Sequence, residues 1–472
     1  MKYFYTILIS VLFISAIPKS KTFVPQTIWV GTGSGYLNLG NIQTTYSMVA
    51  GDTMRVKAGA YDGFFMNNSR FSDSVYFIGG DSGVYFNGTM EVNNCKSIVF
   101  VNLKGRNLAS GRWFDFEVNC DSITVRNCRI DRSVDYQVYL HGTGGNTFDN
   151  FIFKSDTFRG CGNANTLSTN GAKTKNIYIG YCWVDSTYGV TSSGFSFTDN
   201  IVNGMIENCK FTDINLGGVN HNAVVYWQGE GTVRNNLCLN RQGDFIRCRP
   251  YWVDSSASNP TPDTTYVYNN RDCGARKYAF IEMQHKVGDT TTNTDLPNTR
   301  TGILLCFNNT CLNTRTADYT PFGNSTGGGA GLADVYDWFR RPIFKNNICA
   351  RAYIDSIPNP NSPPVAYTFN PMFHNGGGTK PVGQPVFGDT SNNIYKNPLP
   401  DINATWGGRD SLVMNLVNTS PARGYGTSAL LYKDPLGYRG NPRRANSVDA
   451  GADQFNTWVW GPLPYHAVKT VP

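Results

Sequence analysis

Three short segments carry the side chains whose types and spacing could do chemistry. They read VVYWQ from Val224, FIRCR from Phe245 and FIEMQ from Phe280. If each segment is a strand, alternate side chains point to opposite faces. Aligned in this way, the segments present two outward rows: Tyr226, Arg247 and Glu282 in the first, and Gln228, Arg249 and Gln284 in the second. Planar and charged groups of this kind bind hydroxyls and carboxylates and stack on flat rings.

The same alternation extends both rows along the chain. Toward the N-terminus the first row gains Tyr139, Ser168 and Thr191, and the second gains His141, Asn170 and Ser193. Toward the C-terminus the segment DVYDW adds Tyr336 and Trp338. A merely solvated face would carry mainly Lys, Glu and Thr, so the rows predict a carbohydrate-binding surface. The alternative interpretation is a structural use of polar and aromatic residues on the face of a sheet.

Arginines on both rows indicate how such a surface could cleave a uronate polymer. Removal of the C5 proton requires a neutralised carboxylate and a base within hydrogen-bond reach. Arg247 and Arg249 could clamp that carboxylate. Tyr226 or His141 could act as the base, because an arginine loses its proton only with difficulty. A polysaccharide lyase acting by β-elimination is therefore the first functional prediction.

The remaining row residues are assigned to substrate and metal binding. The predicted substrate contacts are Gln228, Glu282, Gln284, Tyr139, Asn170 and Trp338. Asp244 and Glu282 could provide oxygen ligands for Ca²⁺, although no dense group of acids accompanies them. No other cofactor is indicated.

Two other functions remain open. A glycoside hydrolase needs two or three carboxylates facing one glycosidic bond, and Glu230, Asp244 and Glu282 could converge in that way. A non-catalytic surface protein would use every row residue as a glycan contact. Phosphate-cradling loops and a Ser/His/Asp arrangement are not evident, and GTGSG at Gly31 lacks the lysine of a P-loop.

A repeated phrase sets the elements that must position these rows. VNNCKSIVFVN from Val92 and VNCDSITVRN from Val118 place Asn102 and Asn127 25 residues apart. The phrase recurs at Asn208, Asn235, Asn269, Asn308 and Asn346, with degenerate copies at Ser155 and Tyr181. A period of this length indicates a solenoid, and alternating β-branched residues indicate strands. The sequence therefore predicts an all-β fold, a right-handed parallel β-helix.

The recurring asparagines and cysteines predict how the coils pack inside. We expect Asn127, Asn208, Asn235 and Asn346 to form an internal ladder in which stacked amides hydrogen-bond from coil to coil. Cys128, Cys182 and Cys209 each follow a ladder position, so we expect them to be buried thiols. Most of the 12 cysteines should be free in the same way, with one or two disulfides between adjacent coils. No paired Cys/His spacing suggests zinc.

Composition and the chain ends complete the prediction. Residues 1–20 fit a secretory signal peptide, because a lysine precedes a short apolar run, and no later stretch reaches transmembrane length. The predicted protein is secreted, monomeric and without a membrane span. A net charge of +7 suits an acidic polysaccharide, whereas the absence of a dense basic run argues against nucleic acid.

Both ends of the predicted helix carry a family resemblance. Residues 28–63 contain the phrase formed by Gly51, Asp52, Thr53, Val56, Gly59 and Tyr61, and residues 434–455 contain Asp434, Gly437, Arg439, Asp449, Gly451 and Ala452. These resemble the opening cap and closing segment of secreted bacterial pectin-lyase-like β-helix proteins. The resemblance implies a cap and first strand over 28–63, coils over 64–352 and a loop-rich segment over 353–472 packed on the last coils. It also implies a substrate lying along one exposed sheet, and Lys or Arg as base with Ca²⁺ on the substrate carboxylate.

Overall fold

The chain winds into stacked coils, each contributing one short strand to each of three parallel sheets. A computed structural model describes residues 24–31, 37–79, 83–108, 111–142, 146–162, 165–171, 173–189, 192–198, 201–216, 222–249, 264–275, 280–283, 303–313, 333–335, 343–351 and 373–375. The predicted signal peptide, Gln284 and Trp338 lie outside these residues, as does nearly all of the predicted C-terminal segment. The prediction of an all-β parallel β-helix is confirmed.

The strands are numbered β1 to β34 along the chain. Sheet A contains β1 (Thr27–Val30), β2 (Thr53–Val56), β5 (Arg70–Gly79), β8 (Lys96–Val101), β11 (Asp121–Arg126), β14 (Thr147–Lys154), β17 (Lys173–Lys175), β18 (Tyr178–Gly180), β21 (Ile201–Glu207), the second half of β23 (Ala223–Arg234), β26 (Thr264–Tyr268), β29 (Ile303–Phe307) and β32 (Ile343–Lys345). Sheet B contains β3 (Gly59–Tyr61), β6 (Val84–Phe86), β9 (Lys104–Leu108), β12 (Arg129–Ser133), β15 (Thr157–Cys161), β19 (Trp183–Thr187), β22 (Lys210–Ile214), β24 (Leu237–Arg241), β27 (Arg271–Ala275), β30 (Thr310–Asn313) and β33 (Ile348–Arg351). Sheet C contains β4 (Phe64–Asn67), β7 (Met90–Asn93), β10 (Phe114–Glu117), β13 (Val138–His141), β16 (Leu167–Asn170), β20 (Phe195–Phe197), the first half of β23, β25 (Asp244–Arg249), β28 (Ile281–Met283), β31 (Ala333–Val335) and β34 (Phe373–Asn375).

A short cap precedes the coils. It contains a 3₁₀ turn at Leu39–Asn41 and one helical turn, α1, at Ile42–Thr45. Buried Asp52 ties the cap together, because its carboxylate accepts hydrogen bonds from the backbone N–H groups of Gln26 and Val49 at 2.8 and 2.9 Å. Within the described residues, neither helical turn is long or apolar enough to cross a membrane.

The residues at the repeat positions, most of them asparagine, form the corner between sheets A and B. The nine positions of the repeat have φ between 53° and 59°, the left-handed region: Asn102, Asn127, Ser155, Tyr181, Asn208, Asn235, Asn269, Asn308 and Asn346. Asparagine tolerates this conformation better than most residues, which explains its recurrence. The predicted inward ladder is therefore wrong for Asn127, which is exposed, and for Asn208 and Asn235, which are partly exposed.

The internal ladder lies one residue later. Asn236, Asn270, Asn309 and Asn347 are fully buried. The side-chain oxygen of each of the last three accepts the backbone N–H of the preceding member at 3.0–3.1 Å. Asn–Asn doublets thus supply a corner residue and a ladder residue in succession, and a buried amide satisfies backbone groups that the corner leaves unpaired.

Cysteines occupy the ladder position in earlier coils. Cys128, Cys182 and Cys209 are buried free thiols, as predicted, and ten described cysteines are free. Burial raises the pKa of Cys95 to about 11 and that of Cys120 to about 12. Inside the sheets, aromatic rings such as Phe114 and Phe116 fill the core in stacked and edge contacts.

Candidate active site

The outward side chains of sheet C form two rows whose members are set by strand register. The first row contains Phe65, Glu91, Asp115, Tyr139, Ser168, Ser196, Tyr226, Arg247 and Glu282, and the second contains Asn67, Asn93, Glu117, His141 and Asn170. Neighbouring strands are about 4.8 Å apart, so each step along a row covers that distance. The predicted pairing of Tyr226 with Arg247 and of Arg247 with Glu282 is confirmed.

The extended rows contain two errors of register. Ser196 pairs with Ser168 where Thr191 was predicted, and Ser193 does not belong to the rows. Thr191 itself lies outside the described residues. Ser193 instead lies in the connection before β20, where its N–H donates to Asn165 at 2.9 Å. Asp334 pairs with Glu282 where Tyr336 was predicted. Both errors follow from connections of unequal length, which strand alternation does not measure.

The predicted site residues divide into two groups on this sheet. Tyr139, His141 and Asn170 lie in β13 and β16, whereas Tyr226, Gln228 and Arg247 lie in β23 and β25. Three coil steps separate Tyr139 from Tyr226, or about 14 Å. Arg249 ends β25 and pairs with Gln228 through the backbone.

The first group is centred on His141. Its Nε2 atom lies 2.9 Å from an oxygen of Asp115, 2.9 Å from an oxygen of Glu117 and 3.0 Å from the guanidinium of Arg112. Asp115 and Glu117 are alternate residues of β10, so their side chains point to the same face, and β13 places His141 directly beside Glu117. We call Glu91, Arg112, Asp115, Glu117 and His141 the His141 cluster.

Aromatic rings hold this cluster in place. Tyr139 stacks on His141 at 4.8 Å and on Tyr136 at 4.3 Å between ring centroids. The Arg112 guanidinium lies 4.1 Å from the Tyr139 ring centroid. The Asn170 amide donates to the Tyr139 hydroxyl at 2.9 Å. The imidazole therefore has a fixed plane, as a group that exchanges protons with neighbouring carboxylates requires.

Burial raises the pKa of two acids of the His141 cluster. Desolvation raises the pKa of Asp115, although His141 and Arg112 partly oppose that shift. Desolvation also raises the pKa of Glu91, and the neighbouring charges of Glu117 and Asp115 add to it. A raised pKa makes a carboxyl group a better proton donor to a leaving group near neutral pH.

The second group is buried and internally paired. Arg247 contacts Glu282 at 3.2 Å and Asp244 at 3.8 Å. Asp244 and Glu282 are inaccessible to solvent, Gln228 is 2% exposed, and Tyr226 is partly exposed. The pKa of Asp244 lies well above its usual value because of burial and the neighbouring Glu282. The positive charge of Arg247 is therefore balanced within the protein, whereas the clamp predicted from the sequence would need it open to a substrate.

The residues of neither group fit Ca²⁺. Ca²⁺ takes six to eight oxygen ligands. The ligand atoms of Asp115, Glu117 and His141 lie within 4.8 Å of one another, but this set offers two carboxylates and a nitrogen, and Arg112 already contacts Asp115 at 2.9 Å. Asp244 and Glu282 face Arg247 in the same way. In both groups a guanidinium supplies the positive charge.

Glu91, Asp115 and Glu117 were missed by the sequence analysis. The strand FDFE carries two acids in strict alternation with phenylalanine, and this pattern could have identified them. The rows predicted from the segments after Val224 reach no further toward the N-terminus than Tyr139, so they do not include β10.

Comparisons with known proteins find likeness in architecture. No family model matches the chain, and no curated protein matches it. Among solved structures, the catalytic domain of a GH87 α-1,3-glucanase in complex with tetrasaccharides aligns over 68% of this chain and 64% of its own, with 10% identity and a TM-score of 0.32. A PL6 family alginate lyase, AlyGC, aligns over 70% of this chain and 52% of its own, with 11% identity and a TM-score of 0.34. The alignments thus span less than two thirds of those chains, and likeness at this level assigns no activity.

Proposed function

We propose that this protein is a carbohydrate-active enzyme that hydrolyses glycosidic bonds of a polysaccharide lying across sheet C. The observation that carries the proposal is the pair of carboxyl groups of Asp115 and Glu117, which share one strand face and both contact His141. Paired carboxyl groups in unlike environments are the arrangement that acid–base cleavage of a glycosidic bond requires.

The two carboxyl groups have different roles in this proposal. Asp115 is the more buried, and its raised pKa suits the general acid that protonates the departing oxygen. Glu117 is more exposed and can attack the anomeric carbon as a carboxylate. One oxygen of each group lies within 4.8 Å of the other. The proposal therefore assigns a retaining mechanism, in which the two carboxyl groups are close together. Water would then release the sugar from Glu117, with Asp115 acting as base. His141 keeps both groups in position.

The charge of the cluster favours a neutral sugar at the cleavage point. Three carboxyl groups, those of Glu91, Asp115 and Glu117, surround the site, and among the described residues Arg112 and His141 are the groups in contact that can oppose them. A uronate carboxylate placed among these acids would be repelled. The partly exposed ring of Tyr136, which stacks on the buried ring of Tyr139, offers a flat surface of the kind on which a pyranose can stack.

Cleavage of a uronate polymer by β-elimination is the second candidate. It is favoured by Arg112, whose side chain is 27% exposed and lies above Tyr139 and beside His141. Arg112 could bind the uronate carboxylate while His141 removes the C5 proton. Arg112 would then take the role that the sequence predicted for Arg247 and Arg249. It ranks second because Arg112 already pairs with Asp115.

One assay separates these functions. The purified protein is incubated with neutral and uronate polysaccharides, and reducing ends and the absorbance of unsaturated ends are followed. Reducing ends without absorbance support hydrolysis, and a rise in absorbance supports β-elimination. Binding without product would leave a non-catalytic glycan-binding protein and overturn both. Asp115→Asn should abolish most hydrolysis, whereas Arg126→Ser, an exposed cation on sheet A, provides a control that leaves sheets B and C unchanged.

We also propose that the chain is exported, because residues 1–20 have the composition of a signal peptide. Expression of the full chain followed by N-terminal sequencing of the protein in the medium tests this. Retention of Met1 in a cell-associated protein would contradict it.

A further inference from the structure

The outer face of sheet B has the opposite character to that of sheet C. One residue from each of six consecutive strands forms a row in register: Tyr85, Lys104, Arg129, Thr157, Trp183 and Lys210. A second row beside it contains Arg106, Asp131, Arg159 and Asp185. We call the outward side chains of these two rows the sheet B face.

Positive charge predominates on the strands that build this face. From β9 to β22 of sheet B there are six Lys or Arg and three Asp. Arg129 pairs with Asp131 at 2.7 Å, and Arg159 pairs with Asp185 at 3.2 Å. Among the described residues, no carboxylate lies within salt-bridge distance of Lys104. The same holds for Arg106. The face thus keeps a net positive charge after its internal pairs are counted.

Two aromatic rings are fixed between these cations. The Trp183 ring lies 5.5 Å from the Arg159 guanidinium and 5.2 Å from the Lys210 ammonium. Its indole N–H donates to the Thr212 hydroxyl at 3.0 Å, and that hydroxyl donates to Asp185 at 2.6 Å. Tyr85 lies in the same way beside Lys104 and Arg106. Trp183 and Tyr85 thus lie toward the two ends of the sheet B face with their rings fixed. Such rings provide flat surfaces for stacking and lose little rotamer freedom on binding.

We propose that the sheet B face binds an acidic polysaccharide. The stripe is two side chains wide, and Tyr85 and Trp183 are four coil steps apart, about 19 Å, so it fits a single extended chain. Pyranose rings can stack on Trp183 and Tyr85 while carboxylate or sulfate groups pair with Lys104 and Arg106. This binding would anchor the protein on an acidic matrix independently of the chemistry on sheet C.

The test uses the full-length protein and immobilised polygalacturonate, heparin and single-stranded DNA. The double variant K104S/R106S should lose about tenfold or more in affinity for an acidic polysaccharide and elute at lower salt, because binding to a polyanion depends on released counterions. Trp183→Ala should weaken binding without changing the salt dependence. Arg126→Ser, an exposed cation on sheet A, is the matched control and should bind as the parent does. Polygalacturonate carries carboxylates only, whereas heparin carries carboxylates and sulfates, so tighter binding to heparin would show that sulfate contributes.

Four outcomes would overturn the proposal. The first is that the parent protein binds neither polysaccharide at low salt, and the second is that it binds DNA more tightly than either polysaccharide. The third is that Arg126→Ser loses as much affinity as the double variant. The fourth is that the double variant binds as tightly as the parent. Since Trp183 is partly buried, melting temperatures accompany each variant, and K104S/R106S decides the result if Trp183→Ala does not fold. Turnover of a short oligosaccharide should be unchanged in all of these variants, because none lies on sheet C.

Discussion

Asp156 occupies the ladder position that Asn236 holds three coils later, and the side-chain oxygens of both accept a backbone N–H at 2.8–2.9 Å, from Cys128 and Cys209 respectively. Both side chains are buried. Burial raises the pKa of Asp156 well above its ordinary value, and the nearby Cys182 adds to the shift. An asparagine can make the same hydrogen bond without a proton to gain or lose.

The first prediction is that Asp156→Asn stabilises the protein at neutral pH. The native state binds a proton that the unfolded state releases above about pH 4, so wild-type stability falls as pH rises through and beyond that value. The variant lacks this dependence, and its amide can donate to the carbonyl of Val125 as Asn236 donates to that of Ile206. Melting temperatures at pH 4 and pH 8 should therefore show a gain that grows with pH. A gain that is larger at pH 4 would contradict the assignment.

The corner asparagines lead to a second prediction. Asn127 is exposed with φ of 54°, so glycine should be tolerated there, whereas valine should cost about 1–2 kcal/mol because its branched side chain is strained in the left-handed region. Urea unfolding of Asn127→Gly and Asn127→Val measures the difference at one site. Equal stability of the two variants would show that the corner is not under conformational constraint.

A buried ion pair inside the coils gives the third prediction. Arg241 and Asp272 have no solvent-exposed side-chain surface, and Arg241 Nε donates to Asp272 at 2.9 Å. Arg241→Met should destabilise the fold by about 3–5 kcal/mol, because it leaves a buried carboxylate uncompensated. Asp272→Asn in the same background should recover part of the loss. Chemical denaturation of the single and double variants measures the loss of stability and its partial recovery. A double variant less stable than Arg241→Met would refute this account.

Much of the fold could be predicted from the sequence because period and alternation are local properties. The spacing from Asn102 to Asn346 located each sheet A to sheet B corner of the described residues in that span. The role of each asparagine could not be predicted, since a doublet such as Asn235–Asn236 contains a left-handed corner and a buried amide of the same residue type. Only backbone geometry distinguishes them.

The candidate site was less predictable. Alternation correctly placed Tyr226, Arg247 and Glu282 in one row, but it does not report how deeply a side chain is covered, and Glu282 is fully buried. The charges that surround a site also come from residues that are distant in sequence. Arg112 reaches His141 across 29 residues, and no local pattern records that contact.

The last prediction concerns cooperation within the His141 cluster. Asp115→Asn and Glu117→Gln should each reduce hydrolysis by about 10²–10⁴-fold, because proton transfer and nucleophilic attack belong to one reaction. For the same reason, the double variant should lose little more than the worse single variant. Glu91→Gln, a neighbouring carboxyl group without a contact to His141 at these distances, is the matched control and should lose far less. Initial rates on the best polysaccharide, with melting temperatures for each variant, provide the measurement. Losses that multiply in the double variant would mean that the two carboxyl groups act in separate steps, and full activity of either single variant would place the catalytic centre elsewhere on the helix.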